Sequence, residues 1–288
     1  MSPAVTTKHD MLYRRVLERS GEASQQSEYE DRSVIALATS DDGLRFRQQK
    51  EPALQPGAPH ALLGVEDPTI VGNDGDYIVF YTGWSGWRTG IATLLWARGP
   101  SLDALIPQGV AIRPTPPTSF VKEAEYRAGL LWVEVDTLDK HERSRIALCH
   151  ATSTSPLGPW SPPALIAEPR PHRWDSINVS TGPLLENAGR LYMLYNGMIK
   201  TQDPDFVHAA RVGLMELDAL TGAVLGRCTT PVLEPPPGAT IAFAASLAND
   251  ILYYTVDDCE IWAARLDRRE LASIPMEAPA GGPHPHSA

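Results

Sequence analysis

The sequence has few cysteines, no long apolar run and little helical periodicity. Its three cysteines, Cys149, Cys228 and Cys259, form no CxxC pair and stand in no cluster with histidine, which speaks against a disulfide framework or a zinc site. We expect reduced thiols, as in a cytoplasmic protein. No apolar run approaches the ~20 residues that a membrane span needs. Residues 1–16 also lack the apolar core of a signal peptide.

Positive charge is scarce as well. The chain has 25 Lys and Arg against 35 Asp and Glu, a formal net charge of −10 over 288 residues. This balance speaks against nucleic acid or an anionic membrane as a partner and says nothing against a neutral substrate. A hydrophobic fraction of 43% is enough to form a hydrophobic core.

What the sequence does contain is strand and turn patterns, most clearly over Gly64–Gly83, GVEDPTIVGNDGDYIVFYTG. Two apolar runs flank an Asn-Asp-Gly-Asp turn, which predicts a β-hairpin. Two adjacent carboxylates, Glu66 and Asp67, precede the first run at the mouth of this hairpin, where binding and catalytic groups tend to lie.

The same pattern recurs along the chain. It is clear at Ser180–Gly197 and Ala239–Asp258 and weaker at Val121–Asp136 and Met11–Val16. A repeat of about 50 to 70 residues built from short strands predicts an all-β fold, a five-bladed β-propeller. We expect one domain over residues 11–274, a loose N-terminus over 1–10 and a disordered tail over 275–288. The aligned aromatic residues of the five repeats are Tyr13, Tyr81, Trp132, Tyr195 and Tyr254.

Several stretches, in this order, resemble glycoside hydrolase family 130. They are SVIALATSDDGLRF, GVEDPTI, WDSINVSTGPLLENAGRLYMLYNG, ARVGLMELDALTGAVLGRCTTPVLEP and ILYYTVDDCEIWAA. The resemblance spans roughly residues 11–266 and implies a five-bladed propeller that acts on β-mannosides as a phosphorylase or a hydrolase.

The chain departs from this family where the phosphorylases hold phosphate. Thr69 stands in place of an arginine, and Val133-Glu134-Val135 replaces Leu-His-Arg. Losing these cations removes charge-assisted contacts to an anionic nucleophile, so we expect hydrolysis rather than phosphorolysis. The family also has a strand before its first Tyr-Arg pair, and residues 1–10 do not show its pattern.

Inverting glycoside cleavage needs one carboxyl group as an acid and a second as a base. The resemblance implies that Asp67 is the catalytic acid. Glu134, Asp175 and Glu123 are the candidates for the base. Each also has a structural interpretation, as a turn cap, an Asx turn or a surface charge.

The candidate substrate-binding residues are the charged side chains that match family positions, together with two tryptophans in a glycine-rich loop that suit a sugar ring. Each has a structural alternative in a salt bridge or a core aromatic. The set is Asp258, Arg14, Lys122, Arg211, Trp84, Trp87 and Glu66.

The leading hypothesis is therefore an enzyme that hydrolyses a mannoside-like oligosaccharide with inversion. The alternatives are a non-catalytic glycan-binding propeller, a β-mannoside phosphorylase, a protein-interaction propeller and an enzyme of arabinosides or fructosides. We expect no cofactor and no metal, although a calcium ion in the channel stays open because oxygen ligands leave little trace in a sequence. Sugar identity and oligomeric state are not encoded in any pattern.

Overall fold

The fold is built almost wholly from β-strands, as the sequence predicts. The computed structural model describes residues 2–18, 32–57, 59–73, 75–85, 92–138, 144–200 and 208–279. One short helix, α1 (Arg268–Leu271), follows its N-cap Asp267. None of the helices in these ranges is long and apolar enough to cross a membrane.

The strands form five successive antiparallel groups, here called units one to five. Unit one contains β1 (Ala4–Val5), β2 (Asp10–Glu18), β3 (Arg32–Thr39) and β4 (Arg47–Leu54); unit two contains β5 (Gly64–Asn73), β6 (Asp76–Trp84), β7 (Ala92–Gly99) and β8 (Ile106–Ile112); unit three contains β9 (Val121–Arg127), β10 (Leu130–Leu138), β11 (Ser144–Thr152) and β12 (Ala164–Ala167); unit four contains β13 (Asn178–Ser180), β14 (Leu184–Asn187), β15 (Arg190–Lys200), β16 (His208–Leu217) and β17 (Val224–Cys228); unit five contains β18 (Ala242–Ala248), β19 (Ile251–Val256) and β20 (Glu260–Arg265). A last strand, β21 (Met276–Glu277), pairs with β17.

Neighbouring units are joined in the same way each time. The last strand but one of each unit forms a single parallel pair with the start of the next unit, as expected for a structural repeat. The aligned aromatic residues of the sequence repeats lie on β2, β6, β10, β15 and β19, one such strand in each unit. The joining pairs are Ser33–Gly64, Ala92–Phe120, Ile146–Asn178 and Ala210–Ile241.

The apolar side chains are shared between neighbouring units. One cluster fills the space between units one and two, and a second lies between units two and three. The largest spans units three to five and includes Trp132 and Tyr195. A fourth joins units one and five through Val5 and Tyr253. Each unit is thus stabilised by burial against its neighbours rather than by a core of its own.

The N-terminus differs from our expectation of a loose segment. Ala4 lies opposite Leu12 in β2, and Val5 lies opposite Met11. The Val5 amide also donates a hydrogen bond to Ser246 Oγ in unit five, at 2.9 Å. Both residues are buried, which explains why this segment is ordered. A strand of two residues is too short to show a sequence pattern.

The C-terminal prediction is only partly within the described residues. Met276 and Glu277 form a strand instead of belonging to a disordered tail. The remainder of that prediction, from residue 280 onward, lies outside the described residues.

A buried asparagine joins units four and five. Asn196 is 1% exposed; its Oδ1 accepts from the Ala244 amide at 2.7 Å, and its Nδ2 donates to the Ala244 carbonyl at 2.9 Å. We predict that Asn196→Ala lowers the free energy of unfolding by about 2–4 kcal/mol, because it leaves buried main-chain groups without partners.

Chemical denaturation measures this loss. The control is Asn187→Ala, which removes a single part-buried hydrogen bond to the Arg268 carbonyl and should cost about 1 kcal/mol. Equal losses in the two variants would contradict the structural role of Asn196.

Candidate active site

Two β-bulges determine the orientation of the charged residues in units two and three. In β5 the register slips between Glu66, which lies opposite Thr82, and Thr69, which lies opposite Phe80. Asp67 sits in this bulge with φ 51°, in the left-handed region that few residues other than glycine adopt. A bulge breaks the alternation of side chains along a strand and is common beside active sites.

Strand β9 repeats this geometry in unit three. Lys122 lies opposite Glu134 and Glu125 lies opposite Trp132, with a register slip between the two pairs. Glu123 occupies the bulge with φ 50°. Because of the slip, Lys122 and its neighbour Glu123 reach the same group of charges.

The bulges assemble a buried carboxylate cluster, which we define as Glu66, Asp67, Glu123 and Glu134. Lys122 Nζ lies 3.1 Å from Glu123 Oε1 and 3.3 Å from Glu134 Oε1. Glu134 is 1% exposed, so its charge depends on this ammonium group.

Arg14 supplies a second cation at the edge of the carboxylate cluster. Its Nε lies 3.1 Å from Glu66 Oε2, and its Nη1 lies 3.6 Å from Asp258 Oδ2. The Asp258 side chain is 55% exposed and therefore belongs to the rim. Glu66 thus forms the salt bridge that was its structural alternative, and it nevertheless lies in the cluster beside Asp67.

Burial sets the protonation of the cluster. It raises the pKa of Glu66, with the Asp67 charge adding to the effect. It raises the pKa of Glu134 and raises that of Glu123 well above the usual range, where the Glu134 charge adds further. Burial works to lower the pKa of Lys122, but Glu123 and Glu134 outweigh it and the pKa rises well above its ordinary value. The cluster can therefore keep protons at pH values at which exposed carboxyl groups are ionised, beside a lysine that stays charged.

A small pocket opens beside the cluster, and residues of several units line it, including Ser2, Asp67, Glu123, Glu125 and Thr181. Ser2 Oγ donates a hydrogen bond to Asp67 Oδ1 at 2.8 Å. Asp67 Oδ2 is buried and has no hydrogen-bond partner in the described part of the chain. One oxygen of the predicted acid is thus held by Ser2, and the other is enclosed without a hydrogen bond to the described residues.

The structure brings together most of the sequence-predicted site residues. Arg211 Nε lies 2.6 Å from Glu234 Oε2. Arg211 therefore forms a salt bridge, the structural alternative to a contact with substrate. Trp84 ends β6 and is half-buried, and Trp87 lies outside the described residues. The residues brought together are Asp67, Glu66, Glu123, Glu134, Lys122, Arg14 and Asp258.

Asp175, a predicted candidate for the base, lies outside the carboxylate cluster. It is fully buried; Arg170 Nη2 lies 2.9 Å away, and Arg227 and the Tyr195 hydroxyl also contact it. Two guanidinium groups neutralise its charge and occupy its oxygens. This arrangement is that of a structural ion pair rather than of a base facing substrate.

Sequence reasoning missed three residues of the pocket, namely Ser2, Glu125 and Thr181. Glu125 had a signal in the Lys-Glu-Ala-Glu run of the strand, whereas Ser2 and Thr181 had none. Thr181 Oγ1 donates to the Glu123 carbonyl at 2.8 Å and so fixes the bulge of unit three from unit four. Within the ranges that the structure describes, no three His, Cys, Asp or Glu side chains are arranged to hold a metal ion.

Comparison with known proteins decides the family. A family model described as β-1,4-mannooligosaccharide phosphorylase, of glycoside hydrolase family 130, matches residues 2–238. The chain belongs to glycoside hydrolase family 130. It is accordingly an enzyme of the glycoside phosphorylase and hydrolase type, which confirms the resemblance found in the sequence.

Relatives with names and structures lie at low identity. A β-1,2-mannobiose phosphorylase of Thermoanaerobacter sp. (strain X514) is 25% identical over 260 residues, covering 85% of this chain and 81% of the relative. The structure of the Listeria innocua β-1,2-mannobiose phosphorylase with β-1,2-mannobiose has a TM-score of 0.69 at 20% identity, covering 88% of this chain and 73% of that chain.

A second structure comes from work on family 130 hydrolases that target β-1,2 mannosidic linkages in Candida mannan. Its TM-score is 0.71 at 21% identity, and the match covers 92% of this chain and 86% of that chain. The family 130 fold thus hosts both phosphorylases and hydrolases, and the fold does not choose between the two reactions.

The Glu125 carboxyl yields a pH prediction. Burial raises its pKa from 4.5 to about 8. The folded protein therefore keeps a proton that the unfolded chain releases above pH 4.5, and this contribution to stability is lost as pH rises toward 8. The loss is at most about 1.4 kcal/mol per pH unit for a single group. We predict that Glu125→Gln weakens the decline in unfolding free energy across this window.

Denaturation curves at several pH values between 4.5 and 8 measure the slope. The exposed Glu51→Gln serves as the control and should leave the wild-type slope unchanged. A Glu125→Gln slope identical to that of the wild type would contradict the buried, protonated state of Glu125.

Proposed function

We propose that this family 130 enzyme hydrolyses a β-mannosidic linkage in an oligosaccharide with inversion of configuration. Asp67 acts as the general acid, and the Glu123–Glu134 pair acts as the general base on water. The β-mannosidic substrate is inferred from the names of the relatives, and the preference for water is inferred from the charges of the site.

The observation that carries the proposal is the excess of carboxylates over cations. Four carboxyl groups form the cluster, and within the described residues the cations in contact with it are Lys122 and Arg14. Both cations are engaged by these carboxyl groups, so a phosphate dianion would have to compete for them, whereas neutral water needs no cation. The carboxylates that stay ionised suit an oxocarbenium-like transition state, which develops positive charge.

The two family positions that bind phosphate support this interpretation. Thr69 Oγ1 donates a hydrogen bond to the Ala124 carbonyl and is committed to the protein. Val133 and Val135 are buried in the apolar core between units two and three. Neither position offers a cation or a free donor to an anion.

The general acid is assigned from the hydrogen bonds of Asp67. Its Oδ1 accepts from Ser2, and its Oδ2 is buried without a partner in the described residues. Asp67 lines the pocket and, as the acid, donates its proton to a glycosidic oxygen or to a sugar hydroxyl.

The general base is assigned to the glutamate pair as a unit. Glu123 and Glu134 share the Lys122 ammonium, and two carboxylates so close do not both ionise readily. One of them therefore holds a proton while the other is ionised and accepts a proton from water. Glu123 lines the pocket with Asp67, so it is the member that we place next to the water.

We further propose that the five units are the five blades of a closed propeller. Support comes from the repeated joining pairs between units, from the apolar cluster shared by units one and five and from the Val5–Ser246 hydrogen bond. In such a ring the first strands line the channel, which agrees with the residues around the pocket.

A β-mannoside phosphorylase is the second candidate, because the curated relatives carry that name. It predicts a sugar phosphate that forms only when phosphate is present.

The first test of the proposal is product analysis of purified wild type, Asp67→Asn and Asp175→Asn with β-1,2- and β-1,4-linked manno-oligosaccharides. We expect the wild type to release mannose without phosphate. Asp67→Asn should lose at least about 100-fold in rate, the contribution of a positioned proton donor. Asp175→Asn, the control, should lower thermal stability and keep the turnover of the folded fraction.

Other outcomes identify the alternatives. Sugar phosphate that appears only with added phosphate would replace hydrolysis by phosphorolysis. Glycan binding without any product would favour the non-catalytic propeller.

The pH profile of kcat/KM gives a further prediction. Activity requires an ionised base, and the pKa values of Glu123 and Glu134 are raised by burial. The acidic limb of the profile should therefore lie at a higher pH than about 4.5, which is the ordinary pKa of a glutamate side chain. Lys122→Met removes the cation that favours ionisation and should move the limb to higher pH still, with lower activity throughout. The exposed Lys50→Met is the control and should keep the wild-type limb. A limb at the same pH in Lys122→Met would show that this pair is not the base.

A further inference from the structure

The pocket contains a serine that lies outside the stretches on which the sequence resemblance rests. Ser2 lies two residues before β1, lines the same pocket as Asp67 and Glu123, and donates its hydroxyl to Asp67 Oδ1 at 2.8 Å. It is the contribution of unit one to a pocket whose other residues come from units two to five.

Strand β1 holds Ser2 in place. Ala4 and Val5 are buried, at 5% and 8% exposure, and both pair with β2. The Val5 amide is bound to Ser246 of unit five. The serine hydroxyl is therefore presented to Asp67 by an anchored backbone, as a positioning group needs to be.

The hydrogen bond makes the two oxygens of Asp67 unequal. Oδ1 accepts from Ser2, while Oδ2 is buried and has no partner in the described ranges. A proton on Oδ1 would compete with the serine hydrogen for the same side of the carboxyl group, so the donated bond favours the proton on Oδ2. The left-handed backbone of Asp67 limits the ways in which the carboxyl group could turn without this contact.

We propose that Ser2 is a positioning residue for the general acid. Its hydroxyl holds Oδ1 and thereby fixes the orientation of the carboxyl group, and of the proton on Oδ2, beside the pocket that both residues line. This inference rests on the proposed function, because it assigns Asp67 the role of acid. At the proton-transfer step the Oδ2–H bond breaks, the proton passes to the leaving-group oxygen directly or through a sugar hydroxyl, and the Ser2 hydrogen bond stabilises the carboxylate that remains.

The test compares the full-length wild type with Ser2→Ala and Ser2→Thr. Loss of one charge-assisted hydrogen bond that orients the acid should lower kcat of Ser2→Ala about 10- to 30-fold. KM should change little, because the contact does not involve the substrate. Ser2→Thr keeps the hydroxyl and should recover most of the lost kcat.

Three kinetic outcomes would overturn the role of Ser2. The first is a wild-type kcat in Ser2→Ala. The second is a raised KM with unchanged kcat, which would make Ser2 a substrate contact. The third is an equal loss of kcat in Ser2→Ala and Ser2→Thr, which would reflect packing rather than the hydroxyl.

A measurement without turnover separates this inference from the proposed function. In a double-mutant cycle, the melting-temperature changes of Ser2→Ala and Asp67→Ala should not add, because both variants remove the same contact. Additive changes would contradict the contact itself. Non-additive changes in a protein that cleaves no β-mannoside would keep the contact and overturn the role of Asp67 as acid, and with it the role of Ser2.

Discussion

The contact between the Lys122 ammonium and the Glu123 and Glu134 carboxylates, at 3.1 and 3.3 Å, is the interaction on which the site depends. A carboxylate as buried as Glu134 is costly to ionise without an opposite charge. One ammonium group shared by two carboxylates supports one negative charge more readily than two. The pair can therefore hold one proton and still offer one ionised oxygen, which is what a base for water requires.

The scaffold protects this arrangement by side-chain hydrogen bonds between units. Thr69 bonds to the Ala124 carbonyl, Thr181 to the Glu123 carbonyl and Asn196 to both main-chain groups of Ala244. All of these bonds lie at or beside the bulged first strands. Left-handed backbone at a non-glycine residue costs free energy, and bonds from the neighbouring unit offset that cost. The packing of the units against each other thus stabilises the bulges that orient the carboxylates.

Much of the fold was predictable because strand periodicity and turn residues are local signals. The hairpin over Gly64–Gly83 is confirmed by β5 and β6, and the all-β class and the family are confirmed as well. Strand β1 was not predictable, since two residues carry no periodicity. Its order depends on Met11 and on Ser246, which lies far away in the sequence.

The sequence predicted only those site residues that lie in a recognisable motif. Asp67 and Glu123 follow from the family resemblance, Glu134 follows from a departure from it, and the three residues lie together. The shared orientation of Glu66 and Asp67 was not predictable, because strand alternation puts neighbours on opposite faces and a bulge that overrides it leaves no mark in the sequence. Asp175 follows a tryptophan as in the family, but its neutralisation by Arg170 and Arg227 depends on tertiary contacts. Ser2 has no motif at all.

The central claim is that the carboxylate cluster directs water, rather than phosphate, to the sugar from the face opposite the bond that is cleaved. The most direct measurement is the reaction of a β-manno-oligosaccharide in H₂¹⁸O, with phosphate present, followed by ¹H NMR and mass spectrometry of the first product formed. The account predicts free α-mannose that carries ¹⁸O at its anomeric carbon. First-formed β-mannose, or an unlabelled sugar phosphate as the main product, would contradict it.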